Sequence, residues 1–176
     1  MTTQTIKVGI CGLGTVGQGV IALLSEGGDV LSHRVGGTIE LVHVATRTPK
    51  PEVDTLGARD SRGVFDVARD PNVDVLIELI GGTTVAKELV VEALNQGKHV
   101  VTANKALLAD HGDELFTLAE SKGVALRFEA AVAGGIPVIE AVKTSLAGNH
   151  VSSVAGIING TGCLLYTSDA ADEHGC

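Results

Sequence analysis

A chain of 176 residues has room for one good-sized domain and the start of a second. With 44% hydrophobic but only 2% aromatic residues and no Trp, it is not a disordered chain, and its core must be aliphatic, as suits a parallel sheet covered on both faces. The net charge of −8, without a Lys/Arg cluster, argues against a nucleic-acid partner. The lack of a membrane-length apolar run argues against a membrane partner, and Met1–Thr5, which lacks the regions of a signal peptide, points to the cytoplasm.

The first predicted element is a strand over Ile6–Cys11. It feeds Gly12-Leu13-Gly14-Thr15-Val16-Gly17, and a helix is predicted from Thr15 to Ser25, stopped by Gly27-Gly28. This is the strand–turn–helix context of a dinucleotide fingerprint. Gly12 allows the tight turn, Gly14 lets a pyrophosphate approach the backbone, and Gly17 lets the helix pack on the strand. The helix N-terminus offers unpaired N–H groups and a positive dipole end. A polar connector is expected up to Gly36-Gly37, then a second strand over Ile39–Ala45, cut off by Thr48-Pro49-Lys50-Pro51. Between Pro51 and Asp70 the pattern is ambiguous, and Val64–Val67 reads as a short strand or part of a helix.

Val73–Ile80 is a clear strand, closed by Gly81-Gly82. Thr84–Asn95 is predicted to be an amphipathic helix with Val85, Leu89, Val90, Ala93 and Leu94 inward. A strand at His99–Thr102, a helix at Asp110–Ser121 capped by Gly123, and a strand at Val124–Phe128 follow. Pro137 suits the first position of a helix reaching about Leu146, and Val151–Asn159 reads as a new strand. The alternation predicts an α/β fold, a doubly wound parallel sheet with right-handed crossovers. Ligands of such sheets bind outside the strands' carboxyl ends. Gly12–Gly17, Thr46-Arg47, Gly81–Thr83 and Ala103-Asn104-Lys105 all follow such ends.

An NAD site usually has an acidic residue at the end of the second strand. Here Val44-Ala45-Thr46-Arg47 ends it, with no Asp or Glu before Glu52. Arg47, assisted by Lys50, suits a 2′-phosphate, which predicts NADP with NAD as the alternative. Arg47 is otherwise an ordinary solvated arginine. Lys105, beside a nicotinamide, suits a substrate carboxylate or a developing alkoxide, and otherwise is a surface lysine. Glu78, inside an apolar strand, is costly unless it is paired or hydrogen-bonded. The six histidines show no metal-ligand spacing and are expected on the surface or in loops. Cys11, Cys163 and Cys176 fit neither a zinc site nor a disulfide framework, and Cys11 reads as a small buried hydrophobe.

The chain resembles homoserine dehydrogenase. The likeness rests on GLGTVG at 12–17, IELIGG at 77–82, VVTANKALLADHG at 100–112, FEAAVAGGIPVI at 128–139 and INGT at 158–161, and covers about Ile6–Thr161. It implies a Rossmann-type fold and NAD(P)-dependent interconversion of L-homoserine and L-aspartate 4-semialdehyde, in threonine and methionine biosynthesis. It implies cofactor contacts at Gly12, Leu13, Gly14, Thr15, Val16, Gly17, Arg47, Gly81 and Lys105, with Lys105 also catalytic. It further implies a monovalent cation such as sodium, held by oxygens of Glu129, Val132, Gly134 and Ile136, and a homo-oligomer for the full-length form. From the residues alone, the 129–136 stretch is only a Gly-rich connector.

The expected organisation is a dinucleotide-binding domain over 1–130, the start of a substrate and dimerisation domain over 131–161, and a non-native tail over 162–176. The family's homoserine-binding carboxylates and second lysine lie beyond the matched segment, so a partial chain with impaired catalysis is expected. Three rivals stand beside this reading. An acylating dehydrogenase would need a cysteine between Cys11 and Cys163, and none is there. The others are a non-catalytic NADP(H)-binding module and a fragment that folds poorly because its sheet edge lacks a partner.

Overall fold

The computed structural model describes residues 4–153. The predicted strand at Val151–Asn159 falls mostly beyond them, and Val151, Ser152 and Ser153 have no regular structure. INGT, the 162–176 tail, Cys163 and Cys176 lie outside the described residues. The chain divides into two compact units, Met1–Arg127 and Phe128–Cys176.

The first unit runs β1 (Gln4–Cys11), α1 (Thr15–Glu26), α2 (Gly28–Val35), β2 (Gly37–Ala45), β3 (Arg59–Ser61), α3 (Val64–Arg69), β4 (Val75–Glu78), α4 (Thr84–Asn95), β5 (His99–Thr102), α5 (Lys105–Lys122) and β6 (Leu126–Arg127). All six strands are parallel, in the order β3-β2-β1-β4-β5-β6. This is the doubly wound, Rossmann-like arrangement. The order reverses between β1 and β4, and the crevice above that reversal is where such sheets take ligands.

Two aliphatic layers sandwich the sheet. Val8, Ile10, Leu41 and Val44 pack with Leu13 and Ile21 on one side. Cys11, Val67, Leu76, Leu89, Leu94, Val100, Leu107 and Leu115 form the other layer. Ile10 and Cys11 are adjacent in β1 yet belong to different layers, the period-2 alternation of a strand buried on both faces. Burial, and next the neighbouring Glu78, push the Cys11 thiol well above its ordinary value, so it is an inert core residue as expected.

Several expectations are corrected. The connector after α1 is a helix, α2, with Asp29 in its first turn, His33 and Arg34 in its last, and Gly36 as a left-handed cap. It buries no residue, so it left no apolar rhythm. The ambiguous stretch supplies β3 and α3, and Val64–Val67 is helical. In α4 it is Ala86 that faces inward, while Val85 is 49% exposed. Helix α5 begins at Lys105, because Asn104 Oδ1 caps it by accepting from Leu107 N–H at 3.1 Å.

The histidine expectation also fails at one position. His43, in β2, is fully buried. Its Nδ1 donates to Asp70 Oδ2 at 2.7 Å, and its Nε2 lies 3.1 Å from Ser61 Oγ. Lys98 is buried too, and its Nζ donates to the carbonyls of Asp70 and Val73 at 2.6 and 2.7 Å. Together these bonds tie β2, β3 and the end of α3 to the start of β5.

The second unit opens with a 3₁₀ turn, Glu129–Ala131. Pro137 precedes α6 (Val138–Glu140) as its cap rather than starting it, and the chain then widens into a π-helical turn over Ala141–Ser145. The carboxyl of Glu129 accepts from the N–H groups of Ile139 and Glu140 at 3.0 and 3.1 Å. The Lys143 ammonium lies 5.2 Å from the centroid of the Phe128 ring.

Candidate nucleotide-binding site

Because the sheet is parallel, the carboxyl ends of β1, β2, β4 and β5 share one edge. The turn at Gly12–Gly17 occupies the middle of that edge. Gly12 has φ +106°, and a Cβ there would lie 2.6 Å from Leu79 O, so the position demands glycine. Gly12 N–H donates to Ala45 O at 2.9 Å and fastens the turn to the end of β2. A Cβ on Gly17 would collide with the Gly12 carbonyl, which is the close helix–strand packing the spacing implied. The Leu13 side chain is buried, so only its backbone faces the turn.

Gly14 differs from its two partners. A Cβ on it would meet nothing within 4 Å, and its φ of −70° is ordinary. It caps α1, and no side chain caps the helix. Among the described residues, no side chain therefore covers the N–H groups at the start of α1. An open space over a bare helix N-terminus is what a diphosphate needs. The residues present thus fit a nicotinamide dinucleotide. Thr15 and Val16 are exposed at the same mouth.

Arg47 lies two residues past the end of β2, exposed and without an ion-pair partner among the described residues. Lys50 sits further along the loop, 3.7 Å from Glu52, and is thus partly engaged. Sequence reasoning missed Arg62. It is exposed and follows β3 directly, and Thr46 N–H donates to Ser61 O at 3.1 Å, so Arg62 lies just past the tip of the strand adjacent to the one that Arg47 follows. Only the pairing of β2 with the three-residue β3 brings these arginines to neighbouring strand tips.

On the other side of the reversal, Glu78 is fully buried at the end of β4. Its Oε1 accepts from Ile80 N–H at 2.9 Å and Gly81 N–H at 3.3 Å, and its Oε2 accepts from Thr102 Oγ1 at 2.5 Å. Thr102 Oγ1 in turn accepts from Asn104 N–H at 3.0 Å, and Asn104 Nδ2 donates to Gly82 O at 2.6 Å. Gly81 and Gly82 both have φ +71°. Lys105, the next residue after Asn104, is exposed at the first turn of α5, with no ion-pair partner among the described residues. In the second unit, Ala133 and Gly134 have φ +57° and +60°, and the carbonyls of Glu129 and Ile136 accept from Val132 N–H and Val138 N–H. No group of three or more His, Cys, Asp or Glu suited to a metal occurs among the described residues.

Residues 12–129 match the family model described as "Homoserine dehydrogenase, NAD binding domain". The chain is 54% identical over 164 residues to the homoserine dehydrogenase of Pseudomonas aeruginosa, covering 93% of this chain and 38% of that one. It is 45% identical to that of Neisseria gonorrhoeae, with coverage of 93% and 38%. A crystal structure of a homoserine dehydrogenase from Thiobacillus denitrificans superposes with a TM-score of 0.85 at 46% identity, covering 90% of this chain and 37% of that one. The chain thus spans somewhat over a third of the length of these relatives.

Proposed function

The chain belongs to the homoserine dehydrogenase family, and on that footing we propose that it forms the NADP(H)-binding part of an enzyme interconverting L-homoserine and L-aspartate 4-semialdehyde. The observation that carries this reading is the uncapped N-terminus of α1 with open space over Gly14. The amides of Thr15, Val16 and Gly17 hold the pyrophosphate, and Gly12 and Leu13 shape the turn beneath it. Arg47 meets the 2′-phosphate, with Arg62 on the adjoining strand tip, which favours NADP over NAD. Gly81 and Lys105 border the nicotinamide half.

The bound cofactor supplies the hydride. The chain's own residues bind and orient it, and Lys105 offers an ammonium to a substrate carboxylate or to the oxygen that gains charge in the reduction. For the second unit we propose a monovalent cation such as sodium among the oxygens of Glu129, Val132, Gly134 and Ile136. Oxygen donors suit a hard cation. The Glu129 carboxyl, already bonded to two N–H groups, would contribute its remaining lone pairs. A role in threonine and methionine biosynthesis, a cytoplasmic location and a homo-oligomeric full-length form follow from the same family reading.

Calorimetric titration of the 176-residue chain with NADPH and NADH tests the proposal. Saturable binding with NADPH preferred is expected, and absence of binding to either refutes it. The same 176 residues are expected not to reduce NADP with homoserine, because hydride transfer needs the carbinol carbon of homoserine held at close range to the nicotinamide in fixed orientation. Robust turnover would contradict that part.

A further inference from the structure

Glu78 is the one acidic side chain of β4, and it is fully buried at the switch between the two halves of the sheet. A buried carboxyl there is costly, and an apolar residue would fill the same layer without that cost. What Glu78 does instead is visible in its partners. One oxygen collects the N–H groups of Ile80 and Gly81, the two residues that turn the chain out of β4 toward α4. The other takes the hydroxyl of Thr102, the last residue of β5. From Thr102 the chain of bonds runs to Asn104 N–H, and from the Asn104 amide to the carbonyl of Gly82, back on the first loop. The circuit closes across 26 positions of sequence, from Glu78 to Asn104. The only charged member is buried, and both loops it joins are at the ligand edge.

The circuit lies on a definite half of the crevice. In a doubly wound sheet the β1–β3 half takes one mononucleotide and the β4–β6 half the other. The fingerprint and Arg47 belong to the first half. Glu78, Thr102 and Asn104 belong to the second. The same circuit sets the start of α5, since Asn104 both closes it and caps the helix whose first residue is Lys105.

We propose that Glu78 is a positioning residue for the nicotinamide half of the cofactor: by bonding Ile80, Gly81 and Thr102 at once it fixes the β4 and β5 loops, and with them Lys105, in the geometry that receives the ring. This rests on the NADP(H)-binding reading. Glu78 touches neither cofactor nor substrate, and acts through the loops.

The test compares two probes, NADPH and 2′-phospho-ADP-ribose, the same molecule without nicotinamide. The parent chain is expected to bind NADPH more tightly. Glu78→Leu removes every acceptor, and Thr102→Val cuts the link between the loops while keeping the side chain's shape. Each is expected to lower NADPH affinity about tenfold and to leave the affinity for 2′-phospho-ADP-ribose within about twofold. Glu78→Gln retains an acceptor for the loop amides and presents a donor to Thr102 Oγ1, so it is expected to restore most of the NADPH affinity lost in Glu78→Leu. If Glu78→Leu does not fold, Thr102→Val and Glu78→Gln carry the comparison. Equal losses for both probes, or no loss for either, would reduce Glu78 to a structural residue and overturn the inference. A parent that binds both probes equally also overturns it while leaving the cofactor reading standing. A parent that binds neither refutes that reading and the inference together.

Discussion

His43 Nδ1 and Asp70 Oδ2 stand 2.7 Å apart, the imidazole fully enclosed and the carboxyl almost so. Burial alone would raise the Asp70 pKa, but bonds from the Asn72 backbone N–H and from His43 outweigh it and hold the carboxyl below its ordinary value. A carboxyl whose folded value is depressed adds stability that is complete above its unfolded value, near 3.8, and is lost as pH falls through the folded one. Urea unfolding between pH 7 and the acid limit is therefore expected to show a steeper loss of stability in the parent than in Asp70→Asn. At neutral pH, His43→Ala is expected to cost about 2–4 kcal/mol, because it leaves a buried carboxyl short of a donor and a cavity in β2. Parallel acid limbs in parent and Asp70→Asn would remove this hydrogen-bonded pair from the account.

Gly12 and Gly14 are two residues apart and are expected to fail in opposite ways. Gly12→Ala puts a methyl 2.6 Å from Leu79 O at a positive φ, and is expected to destabilise the fold by about 2 kcal/mol or more. Gly14→Val has open space and an ordinary φ, so its thermal midpoint is expected to stay close to the parent's while NADPH binding is lost. Thermal unfolding and calorimetry on both variants check this. A Gly14→Val chain that still binds would place the diphosphate elsewhere.

Arg47→Ala is expected to weaken NADPH binding about tenfold and leave NADH nearly unchanged. The readout is the ratio of the two dissociation constants. An unchanged ratio would take Arg47 out of the 2′-phosphate role, and a double variant with Arg62→Ala would then show whether the outer strand tip supplies the cation.

Cys11 should be inert in the folded chain. It is fully buried, and its thiol is pushed toward the protonated form, which is not nucleophilic. Mass spectrometry after iodoacetamide treatment is expected to find Cys11 unmodified under native conditions and alkylated in denaturant. Native labelling would mean that β1 opens locally.

The sequence carried the central strands openly. Ile6–Cys11 and Val73–Ile80 are predominantly apolar runs followed by glycine, although β4 itself is confined to Val75–Glu78, and α4 was read to its observed ends because its inward residues repeat at helical spacing. α2 and β3 were hidden for a common reason. α2 buries nothing, and β3 is Arg-Asp-Ser at the rim of the sheet, so neither needs an apolar rhythm. The start of α5 was placed five residues late, since its cap is a single asparagine side chain. The phosphate turn was legible because all its parts are local. Glu78 showed only as an anomaly, because its meaning depends on Thr102 and Asn104, which topology alone brings near. His43 was misjudged likewise, its partner Asp70 being 27 positions away.

The outermost strand β3 has three residues, none of them apolar, and the Arg59 side chain is 66% exposed. Too brief and too hydrophilic to template a foreign strand, it leaves a rim that discourages edge-to-edge stacking of copies into fibrils. A sheet of otherwise greasy strands thereby gains protection against amyloid-like growth on that flank.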